Sequence, residues 1–330
     1  MNNYYYIVSI VGNDTIHTMM MTRIDCCCSH NYCYLSAILY PMSTCWTLHS
    51  LLFVSLLLLC NSFKKPPIVI LPGFGNDELD YKNPLNRGEE GSLVANLKKR
   101  GYKSVHVVPI KRVSWLNIAK GLFKKEFYTY DLEPRQLYDF YLDAVDRTVR
   151  QAVSDASDDS EQCILLGHSA GGWLARASLS MESKGNRREL SDMVAGVCTL
   201  GAPHTPPLEG SPDMTRGALS YVHEKYPGAY FKDKFYISVA GTAITSNLNG
   251  NNIEKFAVDS YSQVSGINEE MQLGDGVVPL SNAHLDGAFQ LTIPKCYHSI
   301  NAPENYWFGG PDVIDYWLPV VDRAVEEYTS

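Results

Sequence analysis

From Lys64 onward, short unbroken apolar runs alternate with longer stretches in which apolar residues recur every three or four positions. Ile68-Val69-Ile70-Leu71 and Cys163-Ile164-Leu165-Leu166 are of strand length and apolar at consecutive positions, the pattern of strands covered on both faces. Val194 to Leu200, Phe235 to Ala240 and Phe289 to Ile293 read as strands too, and Tyr102 to Ile110 is strand-like. Leu137, Tyr141, Ala144, Val145, Thr148 and Ala152 keep helical spacing, so Pro134 to Val153 is predicted to be a long amphipathic helix. Ser92 to Arg100, Trp173 to Met181 and Val313 to Tyr328 are also helix-compatible. Strands alternating with helices predict an α/β fold: a doubly wound, mostly parallel sheet with helices on both faces.

The first 63 residues break this pattern. They hold one basic residue (Arg23) and two acidic ones (Asp14, Asp25), without sustained helical or strand periodicity. Leu48 to Cys60 is a dense apolar run with seven leucines. Counted from Trp46 it is about fifteen residues, short of the roughly 20 that span a bilayer. It suits the apolar core of a signal peptide in length but lacks the positive segment before it. Residues 1–63 are therefore read as a leader: a targeting segment, an anchor or a disordered stretch. Lys64-Lys65-Pro66-Pro67 marks the boundary, since prolines cannot continue a helix, and 64–330 is read as the catalytic domain.

Composition narrows the partners. The chain has 330 residues, 45% hydrophobic, enough for one large core. A formal net charge of −8 gives no reason to expect nucleic acid as a partner. Six of the nine cysteines lie in the first 60 residues; Cys163 and Cys198, inside apolar runs, read as small core residues.

The chemistry is concentrated in a few short motifs. Gly167-His168-Ser169-Ala170-Gly171 matches G-x-S-x-G between a buried strand and a helix-compatible segment. A nucleophile on that sharp turn needs small residues two positions to either side, and it sits at a helix start that favours developing negative charge. His168 is read as a packing or hydrogen-bonding neighbour whose side chain points away from Ser169. An acid and then a histidine should follow. Gly274-Asp275-Gly276 is the leading acid candidate, ahead of Asp259 and Asp286, because flanking glycines allow a tight turn. His298, after the last strand, is favoured as base over His284, which precedes that strand. Two backbone N–H groups should face the developing oxyanion, one from Ala170 and one from the loop after the first strand, where Phe74 in Pro72-Gly73-Phe74-Gly75 is the candidate.

Leu71-Pro72-Gly73-Phe74-Gly75, the Ser169 turn, Leu200-Gly201-Ala202-Pro203-His204 and Gly274-Asp275-Gly276-Val277-Val278-Pro279 together resemble the α/β-hydrolase superfamily. More narrowly they resemble its lipase-like and GPI-inositol-deacylase-like branches, and the stretch around Asn76-Asp77 and Tyr81 resembles plant and cyanobacterial hydrolases. The resemblance covers about Pro66 to Tyr328. It implies a serine hydrolase that cleaves carboxylic esters, often of lipids, through a Ser169-Asp275-His298 triad and an acyl-enzyme, with no cofactor and no metal. The plant-like character implies a plastid; anchoring through 46–60 is the alternative. Two features depart from the family: about 34 residues, Gly241 to Gly274, precede Asp275, and the oxyanion loop lacks the His-Gly opening of many lipases.

Lid-like insertions are expected near 111–132 and 204–234. The first crowds Trp115, Leu116, Ile118, Leu122, Phe123, Phe127, Tyr128 and Tyr130 with Lys111, Arg112, Lys120, Lys124 and Lys125. It is read either as a lid presenting apolar groups to a membrane surface or as a helix packed on the sheet. The expected partner is a small-molecule or lipid ester. The alternative function is a ligand-binding α/β-hydrolase scaffold with slow turnover or none, which fold alone does not separate from an enzyme.

Overall fold

The computed structural model describes residues 7–12, 15–20, 24–29, 32–37, 65–86, 88–156, 161–182 and 188–329. The chain divides into two units, Met1–Ser62 and Phe63–Ser330. In the first, β1 (Ile7–Gly12) pairs antiparallel with β2 (Thr15–Met20), and β3 (Ile24–Ser29) with β4 (Tyr32–Ala37). Two residues connect each pair, the shortest common hairpin link. Neither hairpin was expected from the sequence, because apolar and polar residues do not alternate there over a strand's length. The apolar run 46–60 lies outside the described residues. Among the described residues, no helix is long and apolar enough to cross a membrane.

The second unit is built on β5 (Ile68–Leu71), β6 (Val105–Val107), β7 (Cys163–His168), β8 (Val194–Leu200), β9 (Phe235–Thr242) and β12 (Phe289–Pro294). They form one sheet in the order β12-β9-β8-β7-β5-β6, with every neighbouring pair parallel. Parallel neighbours require crossovers. These carry α1 (Leu93–Lys99), α2 (Pro134–Ser154), α3 (Ala170–Leu179), α4 (Ala218–Lys225) and α5 (Asn252–Ser265), and α6 (Pro311–Thr329) closes the chain.

Successive strand residues point to opposite faces, and both faces are covered. Val69, Leu71, Leu165 and Val197 pack with Tyr141 and Val145 of α2, Trp173 of α3 and Val222 of α4. Ile68, Ile70, Leu166, Cys198 and Val239 pack on the other face with Leu93 and Leu97 of α1 and Trp317 and Val321 of α6. That division explains the unbroken apolar runs and bears out the doubly wound expectation. Helix α2 starts where a helix should: Pro134 takes the first turn, where its missing N–H costs nothing, and Glu133 and Gln136 cap each other's backbone.

The long stretch before Asp275 is a folded insertion. The short strands β10 (Ile244–Thr245) and β11 (Leu273–Gly274) pair antiparallel and close its base. Between them stands α5, capped by Asn251 and Glu254 and ended by left-handed Gly266. Tyr261 of α5 donates its hydroxyl proton to the Ile244 carbonyl at 3.0 Å and accepts the Gly276 N–H at 2.9 Å. The insertion thus braces the turn that carries Asp275.

The expected insertion at 111–132 is a 3₁₀ helix, Arg112–Phe123, followed by a short α-helix, Glu126–Thr129. Trp115 and Phe127 turn inward and join the core. The insertion at 204–234 meets it. Leu132 N–H donates to the Arg216 carbonyl at 3.0 Å, and the Arg216 guanidinium lies 4.4 Å from the centre of the Phe127 ring.

Candidate active site

The C-terminal ends of the parallel strands bring the motifs together. Ser169 lies between β7 and α3 with φ 54° and ψ −128°, a strained conformation for a residue with a side chain. The surrounding packing holds it there. Ser169 N–H donates to the Leu200 carbonyl of β8 at 2.9 Å. A side chain at Gly171 would collide with the Leu71 carbonyl, so α3 crosses β5 at backbone contact. Glycine in the fifth position of the motif is thus required by packing as well as by the turn.

The loop after β5 runs directly over the serine. A Cβ on Gly73 would lie 2.7 Å from Ser169 Cβ. Three aromatic side chains hold the loop: Tyr141 donates to the Pro72 carbonyl at 2.7 Å, Tyr81 accepts the Gly73 N–H at 3.0 Å, and Trp115 donates to the Asn76 carbonyl at 3.1 Å. With Gly73 N–H engaged, Phe74 offers the next donor, and its N–H has no hydrogen-bond partner among the described residues. Ala170 opens α3, and the first N–H groups of a helix have no partner within it.

Asp275 and His298 meet on the other side. His298 Nδ1 lies 2.7 Å from Asp275 Oδ2, and His298 N–H donates to the Asp275 carbonyl at 2.9 Å. Asp275 Oδ1 accepts from Val277 N–H and Val278 N–H at 2.9 and 2.8 Å. The carboxylate is buried, but each oxygen is hydrogen-bonded, which offsets the cost of taking it from water. With Nδ1 donating to the carboxylate, Nε2 of a neutral His298 carries the lone pair. Ser169 Oγ hydrogen-bonds to no group among the described residues.

The other sequence candidates stand elsewhere. His284 Nε2 is 2.9 Å from Thr292 Oγ1, and its Nδ1 is 3.5 Å from Ser238 Oγ. Asp259 and Asp286 are exposed. His168 does point away from Ser169, as expected, into a buried chain of hydrogen bonds. Its Nδ1 is 2.8 Å from Tyr81 Oη, and its Nε2 is 3.1 Å from the His298 carbonyl. Tyr81 Oη accepts from Gly73 N–H and from Asn76 Nδ2 at 2.9 Å, so its own proton goes to His168 Nδ1. His168 therefore carries its proton on Nε2 and donates to His298. Burial lowers its pKa to about 3, helped by the neighbouring His298 imidazole. One neutral imidazole so ties the Gly73 loop to the His298 loop. Tyr81, which the sequence reading used only as a mark of resemblance, is the pivot; its signal was an isolated aromatic six residues beyond the proline-glycine loop.

Comparison with known proteins gives a consistent but distant picture. Residues 126–234 match the model of a family described as the PGAP1-like alpha/beta domain. No curated protein matches the chain. Among solved structures, phospholipase PlaB from Legionella pneumophila aligns over 80% of this chain and 64% of its own, at 14% identity and a TM-score of 0.46. This chain thus spans less than two thirds of that phospholipase. A sugar hydrolase from Lactococcus lactis aligns over 82% of this chain and 92% of its own, at 16% identity and a TM-score of 0.42. An esterase from Thermogutta terrifontis aligns over 80% of this chain and 82% of its own, at 13% identity and a TM-score of 0.38. The six parallel strands and the serine turn where β7 enters α3 form the α/β-hydrolase fold, and the family match lies inside that frame.

Proposed function

We propose that this protein is a serine hydrolase that cleaves carboxylic esters, with lipid acyl esters as the substrate class. One observation carries the reading: the buried Asp275–His298 hydrogen bond of 2.7 Å on the loops flanking a strained Ser169 turn. Ser169 Oγ attacks the ester carbonyl carbon while His298 Nε2 takes its proton. The carbonyl oxygen becomes an oxyanion held by Phe74 N–H and Ala170 N–H. Collapse breaks the bond to the alkoxy group, which leaves as the alcohol with the proton from His298. Water then repeats the sequence on the acyl-Ser169 ester, releasing the acid and restoring the serine. Asp275 keeps the imidazole in the tautomer that exposes Nε2 and stabilises its cation. The residues present call for no cofactor in these steps. The lipid part of the proposal is supported by exposed apolar side chains beside the oxyanion loop, where Phe74 is 61% exposed and its ring stands 5.0 Å from Trp115.

An active-site-directed fluorophosphonate tests the reading on the full chain. The expected result is a stoichiometric adduct on Ser169, abolished in Ser169→Ala and strongly slowed in His298→Ala. Absence of labelling in folded wild-type protein, with detergent present to relieve any occlusion, would overturn it.

A further inference from the structure

The stretch Arg112–Phe123 winds as a 3₁₀ helix, and that winding sorts its side chains into three rows. At three residues per turn, positions three apart lie above one another. Trp115, Ile118 and Gly121 make the inner row, and Trp115 and Gly121 are buried. Ser114, Asn117 and Lys120 make a polar row. Val113, Leu116, Ala119 and Leu122 make the third row, and all four are exposed to solvent, Val113 by 70% and Leu116 by 74%. Phe123, at the end of the helix, is 94% exposed. In an α-helix these residues would spread around the cylinder. Here Val113, Leu116, Ala119 and Leu122 form one apolar ridge, with Phe123 beside its end in register with the polar row, and contiguous exposed apolar surface of this kind marks an interaction site.

The charges around the ridge identify its partner. Lys111 to Lys125 holds five basic side chains and no acidic one, in a chain of net charge −8. Lys111 is paired with Glu78 and Arg112 with Asp80, and Lys120 reaches Asp139 only at 4.0 Å. Lys124 and Lys125, directly after Phe123, have no ion pair among the described residues. An apolar edge ending in unpaired lysines matches a lipid bilayer with anionic head groups, which takes apolar side chains below its surface and cations at it. We propose that this ridge, with the exposed Phe123 ring beside its end as a further anchor and Lys124 and Lys125 at the head groups, docks the protein on an anionic lipid surface. The ridge is linked to the oxyanion loop through Trp115, which hydrogen-bonds the Asn76 carbonyl and abuts the Phe74 ring. Docking would turn the mouth beside Ser169 toward the lipid; only this consequence rests on the proposed hydrolase function.

Vesicle co-sedimentation of the full chain carrying Ser169→Ala tests the docking without any turnover. Residues 1–63 are common to every variant, so their contribution cancels in the comparison. Vesicles of phosphatidylcholine with phosphatidylglycerol should bind the protein, vesicles of phosphatidylcholine alone much less, and added salt should weaken the binding. Phe123→Ala, and separately the pair Lys124→Glu and Lys125→Glu, should each lower the partition coefficient about tenfold or more. Phe123 and Lys125 are exposed and Lys124 is half-buried, and unchanged urea midpoints would show that the variants fold. Equal binding by wild type and both variants would overturn the proposal, as would indifference to phosphatidylglycerol or no binding at all. A wild-type dimer that Leu116→Ser converts to monomer would also overturn it, by making the ridge a subunit contact. Failure of fluorophosphonate labelling would count against the hydrolase reading and leave this result standing.

Discussion

The two walls around Ser169 are built by different physics. On one side, Asp275 and His298 are locked by hydrogen bonds from neighbouring backbone, and α5 buttresses the turn through Tyr261. On the other, the 3₁₀ segment is held by aromatic packing of Trp115 and Phe127 and by the Arg216 guanidinium, while its outer ridge faces water. Directional bonds suit a wall that, in the proposed mechanism, holds a proton on one atom. Apolar packing suits a wall that, in the proposed docking, meets a lipid surface. The difference teaches that a single loop, from Pro72 to Asn76, has to mediate between a rigid wall and an adaptable one, and three aromatic side chains pin it.

The sharpest way to break the comparison is at the rigid wall. Asp275→Asn removes the acceptor that orients His298, and hydrolysis of a soluble nitrophenyl ester should fall by about 10³–10⁴-fold. A loss of less than tenfold in steady-state kinetics would mean that the wall does not hold the base. Tyr81→Phe attacks the link between the two walls. It leaves Gly73 N–H and His168 Nδ1 without their buried partner, so unfolding free energy should drop by about 1–3 kcal/mol in urea titrations. The oxyanion loop loosens with it, so kcat should fall more than KM rises. A stability loss with unchanged kcat would reduce Tyr81 to a core residue.

A pH series probes the same link from another direction. In the unfolded chain His168 protonates near its ordinary 6.5, but in the folded protein burial holds it neutral down to about 3. The unfolded state therefore binds the extra proton first. The contribution of this group is complete above pH 6.5 and declines as pH falls toward 3, by about 1.4 kcal/mol per unit. Buried His204 and partly buried His284 are shifted the same way and add to the slope. Urea midpoints from pH 7 to 4 should show the decline, and His168→Asn should flatten it by about one proton. The smallest effect belongs to the adaptable wall. Val113→Ser should shift stability by no more than about 0.5 kcal/mol and leave turnover of the soluble ester unchanged. A clear loss of soluble activity there would show that the ridge shapes the site itself.

The legible parts of the molecule were those governed by short-range patterns. Ile68 to Leu71 and Cys163 to Leu166 read as doubly covered strands because both faces carry apolar residues, and the sheet covers both. Helix α2 read cleanly because its apolar residues keep one spacing over twenty-one positions. Helix α5 escaped the reading although its signals were present: Asn251 and Glu254 form a capping box, and Gly266 sits where a helix stops. Its exposed Ile253 and Phe256 blurred the apolar stripe. The ridge on Arg112–Phe123 escaped for a different reason, since its order appears only at a period of three.

The amino-acid sequence by itself determined the alternation of strands and helices, the Ser169 turn, and the order in which an acid and a histidine follow it. Each is encoded within a few neighbouring residues, through side-chain volume, glycine or proline geometry and apolar spacing. Only the tertiary structure decided that His298 rather than His284 meets Asp275, that Tyr81 and His168 join two distant loops, and that one apolar row of the 3₁₀ segment is left facing water. Those outcomes depend on which strand ends lie side by side and on how tightly a helix winds under its neighbours. They are balances of packing between segments up to 130 residues apart, and no local pattern contains them.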